Sequence, residues 1–227
     1  MVAIVGPCLE CLGRSWATIR TWWTRYWVVA LLCFLLGGWY WKWGRATVMK
    51  ESHVTGKAYL VKNQKGSSAV ADRLAELESH SRRFLHAARQ LHPDDDRLSN
   101  IRKRWNGTLS ETPENAKDVA YSISKKSIFI CVRAEDGVSI ADFNTCIFVL
   151  IHELAHVATN NWGHTEEFWN NMQFLLEAAE AAGFYTYQNF GEKIETYCGR
   201  KLTLSPLTCL KQGQCRSQAP PAKPSEK

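Results

Sequence analysis

Beyond its first 50 residues the sequence has almost no net charge. The 227-residue chain has a formal charge of +6 at pH 7, and six Lys and Arg residues against one Glu in residues 1–50 account for +5 of it. Residues 51–227 therefore net only +1, which argues against a broad electrostatic surface for nucleic acid. A basic cluster within residues 97–104 lies beside three aspartates at 94–96, a pattern typical of a solvated charged face.

Cysteine is too sparse for a disulfide framework. Eight cysteines occur in the chain, and five of them, an odd number, follow residue 50. Cys209 and Cys215 can form a pair if the domain meets an oxidising compartment, but reduced, buried thiols fit the sequence as well. Cys8-x-x-Cys11 has no second pair with which to hold zinc, and near a membrane it is as readily an acylation site.

Charge is absent from the sixteen residues between Tyr26 and Trp41, and tryptophans crowd both ends of this segment. The pattern predicts a single transmembrane helix over residues 26–43, after a basic and aromatic segment at residues 1–25. No small-x-small site follows the segment, which argues against a cleaved signal peptide. Basic residues on the two sides nearly balance, and we favour a cytosolic domain on a single-pass membrane anchor.

Composition divides the remaining chain into three parts. Residues 44–67 are polar and predict a linker, residues 68–206 hold the periodic segments of one domain, and residues 207–227 predict a disordered tail. Apolar residues at helical spacing from Val70 to Leu91 predict a helix that stops at His92-Pro93. Its histidines are expected at the surface or at caps.

Alternation from Tyr121 to Arg133 predicts a β-hairpin turning at Lys125-Lys126, with Ser127–Val132 as an edge that can receive an extended peptide. An apolar helix follows, capped by Asp142 or Asn144. A second helix is predicted from near Thr165 to Gly183.

The apolar helix contains His152-Glu153-Leu154-Ala155-His156. Two imidazoles four residues apart lie on one helical face, where both can bind one zinc ion, and Glu153 lies beside them. A catalytic zinc needs a third protein ligand. His164 is favoured because Gly163 lets the chain turn back to the metal; Glu177 is the competing ligand.

Residues 152–169, HELAHVATNNWGHTEEFW, resemble the HExxH…GHxxxFW signature of the WLM-type peptidases, relatives of the SprT and Spartan proteases. The resemblance extends over roughly residues 100–206 and is strongest to membrane-anchored WLM-like proteins of large DNA viruses. It implies His152, His156 and His164 as zinc ligands and Glu153 as general base. The tail has no evident helicase-, ubiquitin- or SUMO-interaction motif, which does not favour a role in crosslink repair.

The sequence therefore predicts an α+β, zincin-like domain that hydrolyses peptide bonds in a protein substrate with zinc. Tyr185, Tyr187 and Tyr197 are candidates to stabilise the oxyanion. The main alternative is a non-catalytic, zinc-stabilised protein of a host or virion membrane, in which Cys198 closes the metal site as a fourth ligand. A third possibility is a nucleic-acid-associated protease that uses the Arg97–Arg104 cluster.

Overall fold

The computed structural model describes residues 26–38 and 46–212, and the chain divides into two units, Met1–Ala46 and Thr47–Lys227. In the first unit, residues 26–38 form helix α1. Among the residues that the structure describes, no helix is both long and apolar enough to cross a membrane. The predicted span at residues 26–43 is therefore not supported, although residues 1–25 and 39–43 lie outside the described part.

The second unit is an α+β domain whose elements follow one another from Thr47 to Gln212. They are β1 (Thr47–Glu51), β2 (Ala58–Lys62), α2 (Ser67–Leu91), α3 (Asp96–Arg104), β3 (Thr108–Glu111), β4 (Ala120–Ile123), β5 (Ser127–Ile130), α4 (Phe143–Ala158), α5 (Glu166–Ala181), β6 (Glu195–Tyr197), β7 (Arg200–Leu202) and α6 (Pro206–Gln212). The predicted helix ending before Pro93 is confirmed as α2, which His92 caps.

The predicted linker at residues 44–67 instead contains an antiparallel hairpin of β1 and β2, in which Val48 pairs with Val61. Tyr59 and Val61 are buried in the domain core, while Ala58 faces solvent. This two-residue alternation is the strand signal that the polar composition of the segment concealed. The hairpin is thus part of the folded domain.

A three-stranded sheet has the order β3-β5-β4, with β3 parallel and β4 antiparallel to β5. The predicted hairpin is confirmed, but its turn lies one residue earlier than expected. Ser124 and Lys125 have φ of 51° and 59°, and the amide of Lys126 donates to the carbonyl of Ile123 over 2.9 Å. Because β5 lies between two strands, the edge strands of this sheet are β3 and β4, and the prediction of an edge at Ser127–Val132 was wrong.

Helix α4 lies in the core and packs against α5, α3 and the sheet. Asp142 caps its N-terminus, since its carboxylate accepts a hydrogen bond of 2.8 Å from the amide of Thr145. Thr165 caps α5 in the same way, with Glu166 and Glu167 in the first turn. Both predicted helix starts are confirmed.

A buried ion pair ties the first hairpin to the sheet. The guanidinium of Arg133 donates to the carboxylate of Glu111 over 2.5 Å, and neither side chain is more than 2% exposed. Glu111 also accepts from the amide of Lys62, and Arg133 donates to the carbonyl of Lys65. Removing one partner of such a pair typically costs about 3–5 kcal/mol of stability, because the other charge stays buried.

The C-terminal part of the domain is fastened by a disulfide between Cys131, after β5, and Cys198, in the β6–β7 turn. The sequence did not predict this pair. The turn places Cys198 and Gly199 at positive φ. The predicted disordered tail begins inside folded chain, because α6 covers Pro206–Gln212 and Leu207 is buried; residues 213–227 lie outside the described part.

The disulfide predicts a measurable stabilisation. Its partners are 67 residues apart, and closing a loop of this size in the unfolded chain is worth about 2–5 kcal/mol. Replacing Cys131 and Cys198 by Ala should lower the thermal midpoint by several degrees. Circular dichroism melts of the two proteins, with and without reductant, measure this. Equal sensitivity of both proteins to reductant would contradict the assignment, since the variant has no pair to reduce.

Candidate metal centre

Three imidazoles meet where α4 faces the loop before α5. His152 and His156 lie one helical turn apart on α4, and His164 lies in the loop after Gly163, which has φ of 83°. The ring centroids of the three histidines are 4.9–5.0 Å apart, and one nitrogen from each ring lies within 4.8 Å of the others. Phe168 of α5 contacts all three rings and forms the floor of the cluster.

The cluster fits a tetrahedral metal ion. The Nε2 atoms of His152 and His164 are 3.1 Å apart. Two nitrogens at the usual zinc distance of about 2.0–2.1 Å would be roughly 3.3 Å apart in a tetrahedral site. No other group of three or more histidine, cysteine or acidic side chains with this geometry occurs among the described residues. The three histidines are therefore the residues that would hold a metal here.

Burial also puts the histidines in the neutral form that binds metals. Burial, with smaller contributions from the neighbouring imidazoles of His156 and His164, lowers the pKa of His152 to about 3. The pKa of His156 is lowered to about 4 by burial, with contributions from His164 and Lys125. Burial lowers the pKa of His164 as well. None of these rings competes for the metal with a proton at neutral pH.

Glu153 is the carboxylate of this site. Its side chain is 3% exposed, and its Oε2 atom has no hydrogen-bond partner. Burial, with a smaller contribution from the charge of Asp118, raises the pKa of Glu153 to about 8. A buried carboxyl with a free oxygen and a pKa near neutrality is suited to accept and return a proton. The sequence did not point to Asp118.

The C-terminal end of α4 is fixed from outside the helix. Arg104 donates to the carbonyls of Val157 and Thr159, each over 2.9 Å, and the ammonium of Lys125 donates to the carbonyl of Thr159. Cationic side chains at a helix C-terminus satisfy its free carbonyls and stabilise its dipole. The sequence predicted Arg104 to lie on a solvated basic face, whereas the structure shows that it stabilises the end of α4.

The histidines and Glu153 open into a cleft of about 480 Å³. Strand β4 forms one wall, and the β6–β7 hairpin contributes Tyr197, Arg200 and Leu202. Trp162, in the loop between α4 and α5, also lines the cleft. The edge strand β4 therefore runs along the histidine cluster. An extended peptide can pair with such an edge through its main chain.

The three tyrosines are not placed as the sequence suggested. Tyr185 and Tyr187 do not line the cleft, and the hydroxyl of Tyr187 bonds to Thr208 over 3.1 Å. Tyr197 does line the cleft, but its hydroxyl donates to the carbonyl of Cys131 inside the domain. Burial raises its pKa well above the usual value. None of the three tyrosines therefore offers an unbonded hydroxyl to the cleft.

Two other candidate ligands are also placed away from the cluster. Glu177 is exposed on α5, where it bonds to Gln173 over 3.1 Å, and it does not belong to the group around His152. Cys198 is in the disulfide with Cys131 and has no thiolate for a metal. The described residues hold no fourth ligand near the three histidines.

The comparisons relate the chain to proteins of large DNA viruses. It is 28% identical to an uncharacterised protein of Acanthamoeba polyphaga mimivirus over 157 residues, which cover 66% of this chain and 79% of the relative. It is 37% identical over 79 residues to an uncharacterised protein of Invertebrate iridescent virus 6, and 42% identical over 66 residues to one of Invertebrate iridescent virus 3. The chain spans 42% of each iridescent virus protein.

No family model matches the chain, and no solved structure matches it. The relatives agree with the viral kinship that the sequence predicts. They name no activity, so membership of the WLM-type peptidases rests on the motif and is part of the proposal below.

The arrangement predicts how ligand variants rank. His164→Ala should lower zinc content about as severely as His156→Ala, because each removes one of three imidazole nitrogens. Glu177→Ala should leave it unchanged. Zinc per chain, measured by atomic emission beside a circular dichroism spectrum, gives the ranking. If Glu177→Ala lost zinc while His164→Ala retained it, the third ligand would be Glu177 and not His164.

The pKa shifts predict the pH profile of the metal-free chain. The pKa values of His152 and His156 lie below the ordinary 6.5, so stability should fall as pH decreases from about 6.5 towards 4. The pKa of Glu153 lies above the ordinary 4.5, so its contribution is lost as pH rises from 4.5 to 8. Two imidazoles outweigh one carboxyl below pH 6.5, which places the stability maximum near that pH.

Thermal melts in chelator between pH 4 and 9 measure this profile. Glu153→Gln should remove the decline between pH 6.5 and 8 and leave the acid limb in place, because Gln does not titrate. An alkaline decline that is the same in both proteins would assign it to another group.

Proposed function

We propose that this chain is a zinc-dependent metallopeptidase that hydrolyses peptide bonds in a protein substrate. The observation that carries the proposal is the union of three neutral imidazoles with one buried, unpartnered carboxyl in a single cleft. Three protein ligands leave a position open for water, whereas structural zinc sites are closed by four.

His152, His156 and His164 would hold the metal. A zinc ion so bound would lower the pKa of water towards neutrality and polarise a carbonyl group. Glu153 would accept a proton from the attacking water and return it to the leaving amine. Its buried position keeps competing solvent from the carboxyl, and its free Oε2 needs to break no hydrogen bond to act.

The exposed edge of β4 would hold the substrate. A peptide paired with Ala120–Ile123 would run past the histidines in an extended conformation, which fixes the scissile bond relative to Glu153. The requirement for an extended segment favours unfolded or loop regions of proteins as substrates.

The non-catalytic alternative loses its main support. It needs a fourth protein ligand, and Cys198 is committed to the disulfide. The nucleic-acid alternative is weakened in a similar way, because Arg97 pairs with Asp95 over 2.5 Å and Arg104 caps α4.

Membrane attachment stays a proposal from the sequence of residues 26–43. The disulfide bears on its orientation, because disulfides persist in oxidising compartments. It favours a domain outside the reducing cytosol, contrary to the orientation that the flanking charges suggested.

The catalytic test is Glu153→Gln in the full chain. Gln has nearly the same shape and keeps all three imidazoles, but it cannot accept the proton. We expect zinc content and fold to stay, and cleavage of unfolded casein to fall at least about 100-fold. Gel electrophoresis and mass spectrometry of the products measure the loss.

Glu177→Gln is the matched control, because it makes the same chemical change at an exposed glutamate outside the cleft. It should cleave as the parent does, and a chelator should stop cleavage in both. Equal inertness of the parent and Glu153→Gln on varied unfolded proteins, with one zinc per chain in each, would overturn the proposal.

A further inference from the structure

Trp162 is exposed at the mouth of the cleft. Its side chain is 76% accessible, although indoles are usually buried, and it lines the same cleft as the three histidines. It lies two residues before His164. An exposed indole is a large apolar and aromatic surface, which offers a binding area to whatever enters the cleft.

The loop that carries Trp162 is held in place by other parts of the fold. The carboxylate of Glu167 accepts from the amides of Asn160 and Asn161, over 2.8 and 3.3 Å. Arg104 donates to the side chain of Asn160 over 2.6 Å, and Lys125 donates to its carbonyl over 3.1 Å. The backbone on which the indole stands is thus fixed, yet the indole itself is left in solvent.

An exposed aromatic ring on a fixed backbone is suited to recognition, since little backbone entropy is lost when a partner packs on it. The remainder of the cleft agrees, because its walls include Val119, Phe148, Val149 and Leu202. The chemistry of this region is that of an apolar subsite beside a metal centre.

The charge next to the ring restricts what can bind. The ammonium of Lys125 lies 5.3 Å from the centroid of the Trp162 ring. A lysine or arginine of a substrate would meet this fixed positive charge, whereas a neutral side chain would not.

We propose that Trp162 is a specificity-determining residue that packs against a large apolar side chain, aromatic or branched aliphatic, of the polypeptide substrate. This inference rests on the proposed peptidase function and names its substrate preference. Lys125 excludes basic side chains from the same subsite.

Binding can be tested without cleavage in the zinc-loaded full chain with Glu153→Gln. The probes are three fluorescently labelled peptides of Gly, Ser and Ala, identical except for one central residue: Phe, Ala or Lys. We expect the Phe peptide to bind roughly 10-fold more tightly than the Ala peptide, and the Lys peptide to bind no better than the Ala peptide. Fluorescence anisotropy measures each Kd.

Adding Trp162→Ala should reduce the Phe-to-Ala ratio to near one, and Trp162→Phe should keep most of it. Leu91→Ala is the matched control, because it removes another exposed apolar side chain, at the end of α2 and outside the cleft. It should leave the ratio unchanged. Zinc content of each variant is measured in parallel; if Trp162→Ala lost zinc, Trp162→Gln would give the comparison with a side chain of intermediate size.

A Phe-to-Ala ratio that survives the loss of Trp162 would overturn the inference, as would tighter binding of the Lys peptide. The outcome is separable from that of the peptidase proposal. Casein cleavage that depends on Glu153 but shows no preference linked to Trp162 would remove only the inference. A Trp162-dependent binding preference in a chain that never cleaves would remove only the peptidase activity.

Discussion

Helix α4 lies in the apolar core but carries the polar side chains of His152, Glu153 and His156. The contacts around α4 hold these polar side chains in place. Leu150, Ile151, Leu154 and Ala155 are buried on this helix, and Glu153 is buried among them without a full set of partners. An orphaned buried polar atom costs about 1–3 kcal/mol, so its retention calls for a compensating role. A metal ion beside the carboxyl would supply one.

The position of α4 is fixed at its start by its own N-cap and at its end by side chains distant in sequence. Asp142 fixes its start, while Arg104 and Lys125 hold the carbonyls after its last turn. Arg104 and Lys125 also donate to Asn160 in the loop that follows α4. The helix that carries two of the histidines and the loop that carries the third are therefore fixed together. This joint fixation keeps the three imidazoles within bonding reach of one ion.

The two walls of the cleft depend on different forces. The β4 wall belongs to the sheet, whose strand β3 is joined to the first hairpin because Glu111, paired with Arg133, also accepts from the amide of Lys62. The opposite hairpin has few residues in regular pairing and is tied to the sheet by the Cys131–Cys198 disulfide and by the hydroxyl of Tyr197. A hairpin of two three-residue strands is marginally stable by itself, so the disulfide and the buried side chain of Tyr197 hold it in place.

The sequence by itself determined the local features: α2 and its stop at Pro93, the caps at Asp142 and Thr165, the β4–β5 hairpin, and two histidines one turn apart on α4. Each depends on residues close in sequence, through helical period, turn chemistry or capping. Only the tertiary structure decided the remainder. It joined Cys131 to Cys198, made β4 an edge strand, bound the hydroxyl of Tyr197 to the carbonyl of Cys131 and folded Tyr59 and Val61 into the core. These depend on contacts between distant segments, which one sequence does not specify even where, as in β2, it holds the local alternation of a strand.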